Sequence, residues 1–226
     1  MTFQEFYCNK YIYINNYAIN FMSKCGCSTL GYYGYIQKYG NTFLRYNEKS
    51  IHEYEFKHFK YANIDQSKHG YHKIINQYCL VKYEDIDRNK YKTVAIFRDP
   101  IERIISARNP LIDDYKLNNT KEFFDLVIDQ YNLGEGNMNQ HIMPQYLYYN
   151  FDDIDIFIEL KDLYKWLNSI GLEPLKLNQT PKDLYKDDPY NNEETFNKYI
   201  PILKKLYLND YILIDKIKNS NKLWKK

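Results

Sequence analysis

A short stretch near the N-terminus combines a lysine, a glycine and two hydroxyl residues, which together could bind an anion. This stretch is Lys24-Cys25-Gly26-Cys27-Ser28-Thr29, and we call it the anion loop. It follows an apolar run at 17–22, which predicts a strand, and it leads into a segment with helical spacing at 29–39. Backbone N–H groups in such a loop point at a bound phosphate or sulfate, and the dipole of the helix favours negative charge there. An ordinary strand–turn–helix connection would show the same pattern.

A second stretch with suitable chemistry is Arg98-Asp99-Pro100-Ile101-Glu102-Arg103-Ile104-Ile105-Ser106-Ala107, which we call the arginine motif. It follows the run 91–97, whose β-branched and aromatic residues predict a central, buried strand. Asp99 is placed to cap the next helix, because a proline follows it and a glutamate stands three residues later, as in a capping box. We expect that helix to span about 101–108.

Within this motif, Arg98 would lie at the carboxyl end of a strand, which is where open α/β sheets bind their ligands. The guanidinium is a planar fork that matches the oxygens of a phosphate, and the hydroxyl of Ser106 on the helix could complete the site. The alternative is that Arg98 pairs with a carboxylate and that Ser106 is a small packing residue.

The anion loop differs from the P-loop of nucleoside triphosphatases. That motif needs a glycine immediately before the lysine and another five residues before that glycine. Ser23 and Ala18 occupy those positions here, and the glycine instead follows Lys24 by two residues. Phosphoryl transfer from ATP by the usual P-loop is therefore disfavoured.

Strand and helix patterns alternate along the chain, which favours one α/β domain over 1–226 with a mainly parallel sheet flanked by helices. A short strand is possible at Tyr11-Ile12-Tyr13-Ile14, and we expect tight packing at the two glycines inside the first helix, Gly31 and Gly34. The remaining predicted elements are a strand at 154–158 and helices at 120–131, 138–149, 161–170 and, broken at Pro201, 194–217.

The composition excludes some classes of protein. The net charge of +2 argues against a nucleic-acid binder that works by bulk electrostatics. The four cysteines have no C-x-x-C spacing, and free thiols in a reducing compartment explain them. No apolar run approaches the ~20 residues of a membrane span, and the N-terminus does not resemble a signal peptide. We therefore expect a soluble, cytoplasmic protein.

Taken together, the anion loop and the arginine motif resemble the sulfotransferases that use 3′-phosphoadenosine 5′-phosphosulfate, in particular the carbohydrate sulfotransferases of chondroitin and heparan type and their bacterial relatives. The resemblance implies a P-loop-like three-layer fold. It also implies that the anion loop holds the 5′-phosphosulfate, that Lys24 acts in catalysis, and that Arg98 and Ser106 hold the 3′-phosphate. The product would be 3′,5′-adenosine bisphosphate, and no metal is expected.

Two weaker stretches add to the resemblance. His141-Ile142-Met143-Pro144-Gln145 looks like a His-x-x-Pro-Gln segment of the chondroitin-type members, which places His141 and Gln145 at the acceptor cleft. Leu177-Asn178-Gln179-Thr180 looks like an Asn-x-Ser/Thr element and adds Asn178 to the donor-binding residues, while Tyr207-x-x-Asp210-Tyr211 resembles the family's ending. Alternatively, His141 and Gln145 merely orient a helix.

Transfer to a hydroxyl needs a general base with a pKa near neutrality, for which histidine is the usual choice. In related glycan sulfotransferases the base lies between the two phosphate motifs. We favour His72, then His69, with Glu53 or Glu55 as alternatives, out of an interval whose histidines are His52, His58, His69 and His72. Zinc binding by these histidines is disfavoured, because no cysteine or carboxylate stands at a known spacing.

The sequence therefore predicts an enzyme that moves a sulfuryl group to a hydroxyl of a glycan or another small acceptor. Two alternatives stay open: a nucleotide-dependent phosphotransferase of related fold, and a glycan-binding protein that has kept the fold without catalysis.

Overall fold

The computed structural model describes residues 9–39, 79–134, 137–173 and 187–225. Within these ranges five strands form one sheet in the order β3-β1-β2-β4-β5. The strands are β1 (Lys10–Ile14), β2 (Tyr17–Asn20), β3 (Leu80–Lys82), β4 (Lys92–Phe97) and β5 (Ile156–Glu159). β1 pairs antiparallel with β2 and β3, whereas β2, β4 and β5 pair in parallel, so four of the five strands point the same way. The predicted α/β fold with a mainly parallel sheet is confirmed.

Six α-helices accompany the sheet in the described ranges: α1 (Cys27–Tyr39), α2 (Pro100–Tyr115), α3 (Thr120–Asn132), α4 (Leu163–Ser169), α5 (Glu193–Leu206) and α6 (Leu208–Lys218). Short 3-10 turns lie at Tyr83–Asp85, Gln145–Leu147, Phe151–Asp153 and Leu160–Asp162. Over these same ranges, no helix is both long enough and apolar enough to cross a membrane.

β4 is an interior strand of the sheet, with hydrogen-bonded neighbours on both sides. Its residues from Thr93 to Phe97 are at most 1% exposed, as the apolar run predicted. β2 lies beside it in parallel, with Ala18 opposite Thr93 and Ile19 opposite Val94. Because parallel neighbours end at the same edge of a sheet, the chain leaves β2 and β4 side by side. The anion loop and the arginine motif both start at this edge.

Helix α1 returns from that edge across the sheet and packs against β1. At Gly34 a Cβ atom would overlap the side chain of Ile12, so only glycine lets the helix approach this closely. The tight packing predicted for Gly34 is confirmed.

Two predicted helix ends are wrong, because both prolines stand inside their helices. α2 continues through Pro110 to Tyr115, and α5 continues through Pro201 to Leu206, where Tyr207 separates it from α6. A proline inside a helix removes one backbone hydrogen bond. In α2 the next residues, Leu111 and Ile112, are buried in the core, and this packing keeps the helix continuous.

The helix predicted at 138–149 is also wrong. The chain forms an irregular segment there, the 137–149 loop, with one 3-10 turn at Gln145–Leu147. The carbonyl oxygens of Gln140, Ile142 and Met143 accept hydrogen bonds from side chains instead of from a helical ladder. Tyr207 donates to the oxygen of Ile142 over 2.5 Å, and Arg103 donates to that of Met143 over 2.7 Å. Tertiary hydrogen bonds therefore decide the conformation of this loop.

Candidate active site

The anion loop turns sharply between β2 and α1. Lys24 and Gly26 both adopt left-handed backbone conformations, with φ of 63° and 81°. The first bond of the helical ladder runs from the N–H of Leu30 to the carbonyl oxygen of Gly26 over 3.0 Å. The N-terminus of α1, where the helix dipole is positive, therefore lies at the edge where β2 ends.

Gly26 is required by its surroundings as well as by its backbone. A Cβ atom on this residue would lie 2.5 Å from Cδ2 of Leu163, the first residue of α4. The loop is thus packed directly against the segment that follows β5, and this contact fixes its distance from the sheet.

Lys24 is half-buried and has no hydrogen-bond or ion-pair partner among the described residues. Burial lowers its pKa, the Cys27 thiol opposes this change, and the charges of Arg98 and Arg103 lower the pKa further. Two neighbouring arginines thus repel the charge of Lys24 at this edge of the sheet. A bound anion would relieve that repulsion, which is the behaviour expected of a phosphate or sulfate site.

The two cysteines of the loop are free thiols in different surroundings. Cys25 is 1% exposed, and its thiol points at Oε1 of Gln145 over 3.9 Å. Burial raises the pKa of this thiol to about 12, so it stays protonated. Its N–H donates to the carbonyl oxygen of Met22 over 3.3 Å, so this amide is already used within the turn. Cys27 is half-buried at the first position of α1.

The arginine motif begins directly after β4, as predicted. The carboxylate of Asp99 caps α2 by accepting from the N–H groups of Ile101 and Glu102, at 2.9 and 3.0 Å. Glu102 does not complete a capping box; its carboxylate lies 3.4 Å from Nε of Arg98. This ion pair is weak, since the Glu102 side chain is 67% exposed, and it leaves Arg98 available for an anion.

Ser106 lies on α2, two turns after Arg98, and is half-buried. Its hydroxyl has no hydrogen-bond partner within the described ranges. The structure thus places Ser106 on the helix that starts beside Arg98, as the sequence predicted. Phosphate binding by this pair stays a prediction.

The side chain of Gln145 holds the backbone of Arg98. Its Oε1 accepts from the N–H of Arg98 over 2.9 Å, and its Nε2 donates to the carbonyl oxygen of Arg98 over 2.7 Å. Gln145 is 1% exposed, so an acceptor hydroxyl could reach its amide only if these bonds opened. His141 is half-buried in the same loop, and its backbone N–H donates to Oδ1 of Asn139. Acceptor binding by Gln145 and His141 stays a prediction.

Arg103 is a site residue to which the sequence analysis assigned no role. It is fully buried, and its guanidinium donates to the carbonyl oxygens of Ser23, Met143 and Gln140 at 3.1, 2.7 and 3.1 Å. The available signal was its position in the arginine motif, one turn into a helix whose inner face is otherwise apolar. An arginine on such a face must find acceptors.

Several predicted site residues lie outside the described residues: His52, His58, His69, His72, Glu53, Glu55 and Asn178. In the part of the chain that the structure describes, no group of three His, Cys, Asp or Glu side chains is arranged to hold a metal ion.

The anion loop and Arg98 thus follow two adjacent parallel strands at one edge of the sheet, an arrangement suited to binding an anionic group. A family model described as "Sulfotransferase family" matches residues 15–163, which include the anion loop, the arginine motif and the His141–Gln145 segment. The chain therefore belongs to the sulfotransferase family. Searches of curated proteins and of solved structures returned no match to this chain.

Proposed function

We propose that this chain transfers a sulfuryl group from 3′-phosphoadenosine 5′-phosphosulfate to a hydroxyl of a glycan or another small acceptor, within a single domain over 1–226. One observation carries the proposal: Lys24 and Arg98 follow two adjacent parallel strands, and their charges are close enough for Arg98 to lower the pKa of Lys24. A donor with anionic groups at both its 5′ and 3′ positions would occupy two such cationic positions. ATP lacks the 3′-phosphate.

In this proposal the 5′-phosphosulfate is held by the anion loop, through Lys24, the hydroxyls of Ser28 and Thr29 and the amides near the start of α1. Negative charge builds on the leaving phosphate oxygen as the sulfuryl group departs. A cation aimed at that oxygen stabilises the transition state more than the ground state, and we assign this role to Lys24.

The 3′-phosphate is assigned to Arg98 and Ser106, with Asn178 as a further donor-binding residue. The forked guanidinium of Arg98 suits a phosphate, and the Ser106 hydroxyl stands on the helix that begins next to it.

The general base that removes the acceptor proton is assigned to His72, then to His69, with Glu53 or Glu55 as the alternatives. All four lie between the two phosphate motifs in sequence. A glycan as acceptor, binding of that acceptor by His141 and Gln145, and a cytoplasmic location are parts of the same proposal.

Isothermal titration with 3′,5′-adenosine bisphosphate tests the donor assignment. Wild-type protein should bind this nucleotide without Mg²⁺. Strong Mg²⁺-dependent binding of ATP with no heat from the bisphosphate would instead indicate a phosphotransferase. A labelled-donor assay over a panel of glycans and small hydroxyl compounds then tests catalysis; sugar binding with no sulfate transfer to any acceptor would identify a binding protein.

A further inference from the structure

A chain of buried polar contacts leads from helix α6 to the backbone of Arg98. Asp210, in the first turn of α6, is fully buried. Its Oδ2 accepts from the N–H of Gln145 and its Oδ1 from the N–H of Tyr146, both over 3.0 Å. The carboxylate thereby holds the start of the 3-10 turn at Gln145–Leu147. Oδ2 also lies 3.5 Å from Nε2 of Gln145, the atom that donates to Arg98.

Gln145 continues this chain to Arg98 through two hydrogen bonds in opposite directions. Because the amide accepts from the N–H and donates to the carbonyl oxygen of the same residue, it fixes that residue's orientation as well as its position. A second contact reinforces the arrangement: the hydroxyl of Tyr211 lies 3.4 Å from Oδ2 of Asp99, the residue after Arg98.

Burying a carboxylate is unfavourable unless hydrogen bonds compensate for the lost water. Asp210 accepts two backbone hydrogen bonds. Among the described residues, however, it forms no salt bridge within 4 Å. Two apolar side chains in place of Gln145 and Asp210 would fill the same space with a smaller free-energy cost of burial. The polar pair is therefore best explained by the geometry that it imposes on Arg98.

We propose that Gln145 and Asp210 are positioning residues, which hold the backbone of Arg98 so that its guanidinium meets the 3′-phosphate of the donor. This inference rests on the proposed function. Side chains that orient a ligand-binding group commonly change affinity about 10–100-fold when they are removed from metal sites, and we expect an effect of that order here.

Two nucleotides that differ only in the 3′-phosphate test this role: 3′,5′-adenosine bisphosphate and adenosine 5′-phosphate. Gln145→Met should weaken binding of the bisphosphate about 10–100-fold and change binding of adenosine 5′-phosphate less than about 2-fold. If Gln145 had a merely structural role, the variant would bind both nucleotides equally more weakly, and that result would overturn the proposal. Wild-type protein that binds neither nucleotide would instead show that the proposed function is wrong.

A double-mutant cycle with Arg98→Ala gives an independent readout from the bisphosphate alone. If Gln145 acts through Arg98, Gln145→Met should have little further effect once the guanidinium is gone. Additive losses would contradict the proposal. Should Gln145→Met fail to fold, Asp210→Asn is the second variant, because it keeps the shape of the side chain. It should also weaken binding of the bisphosphate selectively, but by a smaller factor.

Gln130→Met is the matched control. Gln130 is also buried, and its Oε1 accepts from the N–H of Asn139 over 2.8 Å, so it supports the same loop without touching Arg98. This variant should lower stability and leave the affinity for both nucleotides within about 2-fold of wild type. A loss of bisphosphate affinity equal to that of Gln145→Met would overturn the specific role of Gln145.

Discussion

The guanidinium of Arg103 donates a hydrogen bond to the carbonyl oxygen of Ser23, the residue immediately before Lys24, over 3.1 Å. The same side chain donates to Met143 and Gln140 in the 137–149 loop. One buried residue of the arginine motif therefore connects α2 to the anion loop and to the segment that holds Arg98. The relative position of the two proposed phosphate sites depends on this side chain.

Arg103→Met should destabilise the protein strongly, because the carbonyl oxygens of Ser23 and Met143 lose their side-chain donor, whereas that of Gln140 keeps the Tyr148 hydroxyl. Each buried acceptor left unpaired costs about 1–3 kcal/mol, so we expect the free energy of unfolding to fall by roughly 2 kcal/mol or more. Arg103→Lys keeps the charge but loses the forked guanidinium. Its free energy of unfolding should lie between those of Arg103→Met and wild type. Denaturation in urea measures the effect.

Arg88→Met is the control for this prediction. Arg88 pairs with Asp155 over 2.9 Å. It also donates to the Tyr83 and Thr93 hydroxyls and to the carbonyl oxygen of Asp153. The side chains of Arg88 and Asp155 are both more than a third exposed, so water can replace lost hydrogen bonds there and the loss should be on the order of 1 kcal/mol. An equal loss from Arg88→Met and Arg103→Met would contradict the special role of Arg103.

Gly26→Ala should lower both stability and nucleotide affinity. The left-handed backbone disfavours a side chain by about 1–2 kcal/mol, and the contact of the new methyl group with Leu163 adds about 1–3 kcal/mol. Thermal unfolding and titration with 3′,5′-adenosine bisphosphate measure the two effects.

Gly134→Ala separates the two causes. Gly134 has φ of 98°, but its Cβ would meet no atom within 4 Å, so only the backbone penalty applies. Leu163→Ala gives a further check: combined with Gly26→Ala, it should cost less than the sum of the single changes, because the cavity accepts the methyl group. Strict additivity would show that the packing contact is unimportant.

Lys24→Ala should reduce kcat by about 10²–10³-fold, the usual effect of removing one group that stabilises developing charge. Affinity for 3′,5′-adenosine bisphosphate should change less than kcat does. Transfer from a labelled donor to any acceptor found active gives the rate. Lys38→Ala, in the last turn of α1, should stay within about 2-fold of wild type. Full activity of Lys24→Ala would exclude the proposed catalytic role.

The pKa of Asp210 predicts a pH dependence of stability. Burial raises this pKa to about 6, compared with about 3.9 for an unperturbed aspartate. Between these values the native protein binds a proton that the unfolded chain releases, so the contribution of Asp210 to stability falls as pH rises from about 4 to 6. The free energy of unfolding of wild type minus that of Asp210→Asn should decrease over this range by on the order of 2 kcal/mol. A difference independent of pH would contradict the raised pKa.

His72→Ala should lower kcat by about 10²–10⁴-fold if His72 is the general base. In wild type, kcat should fall at acidic pH as the base becomes protonated, and this limb should be absent from the variant. His58→Ala serves as the control. If His72→Ala stays active and either His69→Ala or Glu53→Gln loses activity, the residue changed in the inactive variant is the general base.

The local geometry of the candidate site could be predicted from the sequence because its determinants are local. A loop between a strand and a helix places backbone N–H groups and the positive end of the helix at the edge of the sheet, and Asp99 caps α2 through bonds to residues two and three positions later. The residue composition alone likewise predicted the buried strand at 92–97.

The tertiary structure decided how these parts are joined. The bonds from Gln145 to Arg98 span 47 residues, those from Asp210 to Gln145 span 65, and that from Arg103 to Ser23 spans 80. Such contacts leave no period in the sequence, and they override local preferences, as the irregular 137–149 loop shows. The sequence alone therefore indicated which groups we propose to bind the donor, whereas packing across the sheet decided what holds those groups in place.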